Sequence, residues 1–183
     1  MADVSRRIVL LGAATMTAAA AAPADQRAWD FGFEAIEEGP LPLAQFRGRV
    51  LLVTNTASFC GYTYQYKALE ALHALYEPKG LTVVGVPSQD FNQESDSNGK
   101  VKTFCEATFG VRFPMAGLTH VRGAQAHPFY AWVRAVKDWE PSWNFNKVLV
   151  ARDGTIAGLF PATDEPDGPK LRRALTVALD ATA

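Results

Sequence analysis

The chain has 183 residues, 48% of them hydrophobic, with 18 Lys and Arg against 19 Asp and Glu. That length suits one domain with a real core, and a balanced charge without basic or acidic tracts excludes nucleic acid or a partner read through bulk charge. Two cysteines are too few for a disulfide scaffold, no Cys/His cluster has zinc spacing, and the absence of Cys-x-x-Cys argues against an ordinary thioredoxin or disulfide isomerase.

The first 24 residues read as a targeting segment. Ser5-Arg6-Arg7 precedes Ile8-Val9-Leu10-Leu11-Gly12, and an alanine-rich run reaches Ala22-Pro23-Ala24. A charged start, a short apolar middle and a small-residue end make a secretory signal, and the paired arginines resemble a twin-arginine signal. The apolar part falls short of the roughly 20 residues that a stable membrane span needs. Cleavage after Ala24 is favoured over Ala22, which would leave Pro23 first. The working compartment is then the periplasm of a bacterium, and residues 25–183 form the domain. A disordered alanine-rich tail is the competing reading.

Trp29, Phe31 and Phe33 alternate with polar or small residues and suggest a short strand; Glu37-Glu38-Gly39-Pro40 marks a turn. Val50 to Asn55 is apolar and β-branched, as in a strand buried on both faces. A helical pattern follows, with Leu69, Leu72, Leu75 and Tyr76 three and four apart, until Pro78-Lys79-Gly80 stops it. Leu81 to Val86 is a second buried strand. Strand, helix, strand at this spacing is a βαβ unit with parallel strands and a right-handed crossover.

Cys60 falls between that first strand and the helix. The free N–H groups and the positive end of a helix favour an anion there, and a thiolate is one. Free cysteines are also among the most buried and inert residues, so position alone leaves Cys60 open between the two. In open α/β sheets, functional groups gather at the carboxyl ends of strands. The loop Pro87-Ser88-Gln89-Asp90-Phe91 after the second strand is therefore expected beside Cys60.

A helix is expected from about Gly99 to Thr108, with Val101, Phe104, Cys105 and Thr108 on one side. His127-Pro128 opens another, through Phe129, Trp132, Val133 and Val136. Asp153-Gly154 between Val148–Val150 and Ile156–Phe160 is a hairpin signal. Lys170 to Ala181 closes the chain as a helix with Leu171, Leu175 and Leu179 on one face.

Three separated motifs resemble the glutathione peroxidase family in order and spacing. They are Ala57-Ser58-Phe59-Cys60-Gly61-Tyr62-Thr63 with Gln65-Tyr66 and Leu69; Phe104-Cys105-Glu106-Ala107-Thr108-Phe109-Gly110-Val111 with Phe113-Pro114; and Trp143-Asn144-Phe145-Asn146-Lys147. The resemblance runs from about Phe31 to Ala181. It implies a thioredoxin-like α/β fold, a central mixed sheet flanked by helices, and a thiol-dependent peroxidase. It puts the peroxidatic sulfur at Cys60, with the Trp143 N–H and the Asn144 amide beside it. In members that resolve the oxidised cysteine with a second one, a cysteine lies at the place of Cys105. A packed core cysteine is the alternative there, as a buried indole and a turn cap are for Trp143 and Asn144.

The sequence departs from the family in the loop after the second strand. The familiar Pro-Cys-Asn-Gln-Phe carries a glutamine expected to bond the active sulfur; here, aligned on Pro87 and Phe91, Asp90 takes that place and Ser88 replaces the cysteine. Gln93-Glu94 matches the family's Gln-Glu with one residue fewer between. An amide donates to a thiolate, whereas an ionised carboxylate cannot, and nearby it disfavours the thiolate. Asp90 is thus expected either near the sulfur, making activity pH-sensitive, or as a turn residue capping local backbone. His-Pro recurs in the family as a structural helix start, which sets His127 aside from catalysis.

The implied cycle is attack of Cys60 on a hydroperoxide, a sulfenic acid, a Cys60–Cys105 disulfide, and reduction by an external thiol, either a thioredoxin-like protein or glutathione. No cofactor or metal is called for. A peroxide-responsive redox sensor or binding module with vestigial turnover is the alternative, and Asp90 is the feature that favours it.

Overall fold

In the computed structural model, residues 25–181 are described, and the expected signal at residues 1–24 lies outside them. Phe31 to Pro42 forms a small hairpin, β1 (Gly32–Glu34) against β2 (Pro40–Pro42). The expected strand around Trp29 is shorter than its alternation suggested, because Ala28–Asp30 is a 3₁₀ turn. Glu38 and Gly39 both have positive φ, 72° and 86°, which turns the hairpin tightly.

The main sheet runs in the order β4-β3-β5-β6, with β3 at Val50–Thr56, β4 at Leu81–Pro87, β5 at Lys147–Val150 and β6 at Ile156–Phe160. β3 and β4 are parallel and joined through α1 (Gln65–Tyr76), as expected. β5 is antiparallel to β3 and to β6, so the sheet is mixed. Every residue of β3 and β4 is buried, which is why neither strand shows polar alternation.

Two apolar layers sandwich the sheet. Val50, Leu52, Leu81, Val83 and Leu149 face one layer, filled by Tyr66, Leu69 and Leu72 of α1, Val101 and Cys105 of α2 (Asn98–Phe109), and Leu171 and Leu175 of α4 (Pro169–Asp180). Leu51, Val53, Val84, Val86, Val148 and Val150 face the other, filled by Trp29, Phe33 and the Phe129, Tyr130, Trp132 and Val133 of α3 (Pro128–Lys137). The period of two along each strand assigns alternate residues to opposite layers. The parallel βαβ unit brings the loops after β3 and β4 to the same end of the sheet. The loop before β5 arrives there too, because β5 runs the other way.

Candidate active site

Cys60 sits in a turn-rich segment, and α1 begins five residues later at Gln65. This corrects the expectation that the α1 N-terminus itself meets the sulfur. The donor found is the Tyr62 N–H, which reaches Cys60 Sγ at 3.4 Å. Thr63 shapes this turn: its hydroxyl accepts from the Cys60 N–H at 3.1 Å and lies 3.0 Å from the Ala57 carbonyl and 2.6 Å from that of Cys60. Cys60 is 7% exposed, while Phe59 is 67%, Tyr64 55% and Trp143 41% exposed. Cys60 is thus buried in a turn whose neighbours in sequence, Phe59 and Tyr64, are exposed.

The loop before β5 is anchored by Asn55, a polar residue in an otherwise apolar stretch of β3. Its Nδ2 donates to the Trp143 carbonyl at 3.0 Å and its Oδ1 accepts from the Asn146 N–H at 3.1 Å. Its carbonyl accepts from the Phe145 N–H at 2.6 Å. These bonds hold Phe145 at φ 61°, a costly left-handed conformation for a bulky residue. Asn55 was read from sequence only as part of a strand; its signal was an amide inside a buried run, where every polar atom needs a partner.

Asn144 is fully buried, and its Nδ2 donates to Gln93 Oε1 at 2.9 Å. Its Oδ1 is buried without a partner. The Trp143 ring packs 5.4 Å from that of Phe91. Trp143 and Asn144 thus border the mouth of the loop that carries Gln93, and the backbone of Gln93 accepts from the Phe59 N–H at 2.9 Å, next to Cys60.

Asp90, expected either near the sulfur or as a cap of local backbone, bonds a segment distant in sequence. Its Oδ1 lies 2.6 Å from His120 Nδ1, and its Oδ2 accepts from the N–H groups of Val121 at 2.6 Å and Arg122 at 3.2 Å. Both oxygens are spent on the segment 120–122 and not on the backbone of Asp90's own turn. His120, which had no identifiable partner, gains one. The amide that meets Asn144 belongs to Gln93, three residues downstream. Anchoring on Pro87 and Phe91 hid it, although Gln93-Glu94 was in view as a family match.

Cys105 is fully buried on α2, and both cysteines are free thiols. Burial pushes the Cys105 thiol up to about 11; the Tyr66 hydroxyl beside it works against this, while Glu94 and Glu106 add to it. His127 caps α3, its Nδ1 accepting from the Phe129 N–H at 3.2 Å, and stacks on Phe33 at 4.4 Å. That is the structural start expected of it. Lys147 is fully buried; its Nζ donates to Gln65 Oε1 at 2.6 Å and to the Asp164 carbonyl at 2.7 Å. Burial pushes its pKa down to about 8.

Among the described residues no three His, Cys, Asp or Glu side chains gather to hold a metal ion, and no helix is long and apolar enough to cross a membrane.

The glutathione peroxidase family model matches residues 28–134. The chain belongs to the glutathione peroxidase family. It is 36% identical over 157 residues to the hydroperoxy fatty acid reductase gpx1 of Synechocystis sp., a match covering 80% of this chain and 93% of that protein. Among solved structures, Trgpx in apo form superposes with a TM-score of 0.69 at 32% identity, covering 86% of this chain and 99% of that one. A thiol:disulfide interchange protein of the thioredoxin family from Chlorobium tepidum gives a TM-score of 0.61 at 16% identity, covering 81% of this chain and 92% of that one. The fold is accordingly thioredoxin-like, and this family member is a thiol-dependent peroxidase, an enzyme that reduces hydroperoxides.

Proposed function

We propose that Cys60 is the peroxidatic residue and Cys105 the resolving one, in a cycle that ends on an external dithiol. The Cys60 thiolate attacks the outer oxygen of a hydroperoxide, the O–O bond breaks, and the leaving oxygen takes a proton to become water or alcohol. Cys60 is left as a sulfenic acid. The Cys105 thiolate then forms an S–S bond to that sulfur and hydroxide leaves as water on protonation. Two electrons from the external dithiol restore both thiols.

The observation that carries this reading is the Asn144–Gln93 amide pair, tied to the residue before Cys60 by the Phe59 N–H bond to the Gln93 carbonyl. Its present arrangement leaves Asn144 Oδ1 unpaired. Turning both amides round lets Gln93 Nε2 donate to Oδ1 and frees Asn144 Nδ2 as a donor. This chemistry needs a free buried donor for the thiolate and the departing oxygen; the freed Asn144 amide is the first candidate and the Trp143 indole N–H the second. In this reading the amide beside Asn144 is that of Gln93, in place of Asp90. The sensor alternative leaned on Asp90, and with that carboxylate spent on residues 120–122 its support falls away.

A thioredoxin-like protein is favoured over glutathione as donor, because an intramolecular disulfide is reduced cleanly by a dithiol. Residues 1–24 support export to the periplasm by the twin-arginine route. The test is steady-state turnover of residues 25–183 with hydrogen peroxide and, separately, a lipid hydroperoxide, using each donor. Faster turnover with the dithiol protein, and a Cys60–Cys105 cross-link by mass spectrometry, are expected. Stable Cys60 sulfinic acid without a cross-link overturns the resolving assignment. A reporter fused after residue 24 that stays in the cytoplasm overturns the export reading.

A further inference from the structure

The Cys60 loop is tied to the segment that feeds α2 at two points. One is a backbone bond, Phe59 N–H to the Gln93 carbonyl at 2.9 Å. The other depends on a side chain: Glu94 Oε1 accepts from the Ser58 N–H at 3.1 Å and from the Ser95 N–H at 2.7 Å. Glu94 Oε2 is buried without a partner, and burial pushes this carboxyl above the usual carboxylate range. A carboxylate with one oxygen doubly bonded and the other left unpaired is a strong contact held in a poor environment for charge.

Cys105 lies in the middle of α2, and a disulfide needs its Cα within about 7 Å of that of Cys60. Cys105 is fully buried there, beside the Tyr66 hydroxyl, and unwinding or swinging α2 about the segment 93–97 releases its thiol from that packing. The helix is suited to this: of its 12 residues only Val101 and Cys105 are buried, and its N-cap, Ser97, makes no side-chain capping bond. A helix anchored by so few buried side chains opens locally at low cost.

We propose that Glu94 is a positioning residue, a latch between the Cys60 loop and the root of α2 whose release lets Cys105 reach the oxidised Cys60. Closed, it ties the root of α2 to the chain before Cys60; open, it lets α2 move for resolution. The proposal rests on the Cys60–Cys105 reading above.

Glu94→Gln keeps the acceptor oxygen and removes the charge that strengthens the contact, and Glu94→Ala removes the latch. Rapid mixing with peroxide, thiol blocking and mass spectrometry give separate rate constants for sulfenic acid and disulfide formation. Disulfide formation should rise several-fold in Glu94→Gln, with sulfenic acid formation unchanged, and rise further in Glu94→Ala. Amide hydrogen exchange should quicken in residues 98–105 of both variants and stay unchanged in β3 and β4, which a global loss of stability would not produce. A parent that cross-links, fails to do so as Cys105→Ser, and shows a rate that neither Glu94 variant raises overturns the latch alone. A parent that never cross-links overturns the Cys105 reading and the latch together.

Discussion

The two cysteines share a core layer and little else. Cys60 lies in a turn, 7% exposed, with a backbone N–H on its sulfur. Cys105 lies on a helix face, fully buried, with its thiol pushed up to about 11. A thiolate is the nucleophile in both proposed steps. In the proposed cycle the turn supplies the first nucleophile and the helix the second, whose thiol burial holds back.

The largest effect should come from removing the cysteine in the turn. Cys60→Ser should abolish peroxide consumption by the purified protein, measured by loss of hydrogen peroxide; consumption at the parent rate would end the comparison. Asn144→Ala should lower the rate constant of sulfenic acid formation by on the order of 10²-fold, the usual loss on removing one preorganised donor. A change within twofold would remove the amide pair from the mechanism. Asp90→Ala makes the contrast: it should leave that rate and its pH profile superimposable on the parent's. Stability should fall by about 1–3 kcal/mol, because the Val121 and Arg122 N–H groups lose a charged acceptor. Cys105→Ser should leave the first peroxide step intact and lower turnover with a dithiol donor by roughly tenfold, with Cys60 sulfinic acid accumulating.

The smallest effect concerns Lys147, which props the start of α1 through Gln65. Its folded pKa is lowered, from 10.5 to about 8. Between those values the unfolded chain holds more protons than the folded one, so this group's contribution to stability rises with pH. Below about 8 both states hold the proton and the folded state carries the full burden of a buried cation. Urea unfolding of the parent and Lys147→Met at pH 7 and pH 9.5 should differ in the parent's favour at the higher pH, by on the order of 1–2 kcal/mol. A pH-independent difference would mean that Lys147 keeps its charge throughout.

Much of this was legible in the residues. The β-branched runs at 50–55 and 81–86, the α1 periodicity and the Asp153-Gly154 turn each depend on neighbours in sequence, and the elements lie within a residue or two of their expected bounds. α2 was expected at about 99–108 and runs Asn98–Phe109. The aromatic alternation at Trp29, Phe31 and Phe33 misled in part: Trp29 is buried from a 3₁₀ turn, and only Phe33 belongs to a strand. Burial at one face does not by itself distinguish a strand from a turn.

The site itself was half legible. Cys60, Trp143 and Asn144 came from short motifs, yet the choice between Asp90 and Gln93 could not be made along the chain. Both follow β4 within a few residues, and both are polar groups able to bond an amide. Tertiary structure decides it, because the segment 120–122 arrives with N–H groups that an ionised carboxylate accepts and an amide oxygen accepts less strongly. Asp90 goes there, and Gln93 is left to face Asn144. By itself the sequence determined the strands, the helices and the position of Cys60 between β3 and α1, since periodicity and turn chemistry act over neighbouring residues. Which distant loop partners which, and so that Asp90 bonds the segment 120–122 and Gln93 meets Asn144, was decided only when the chain closed and brought loops far apart in sequence together.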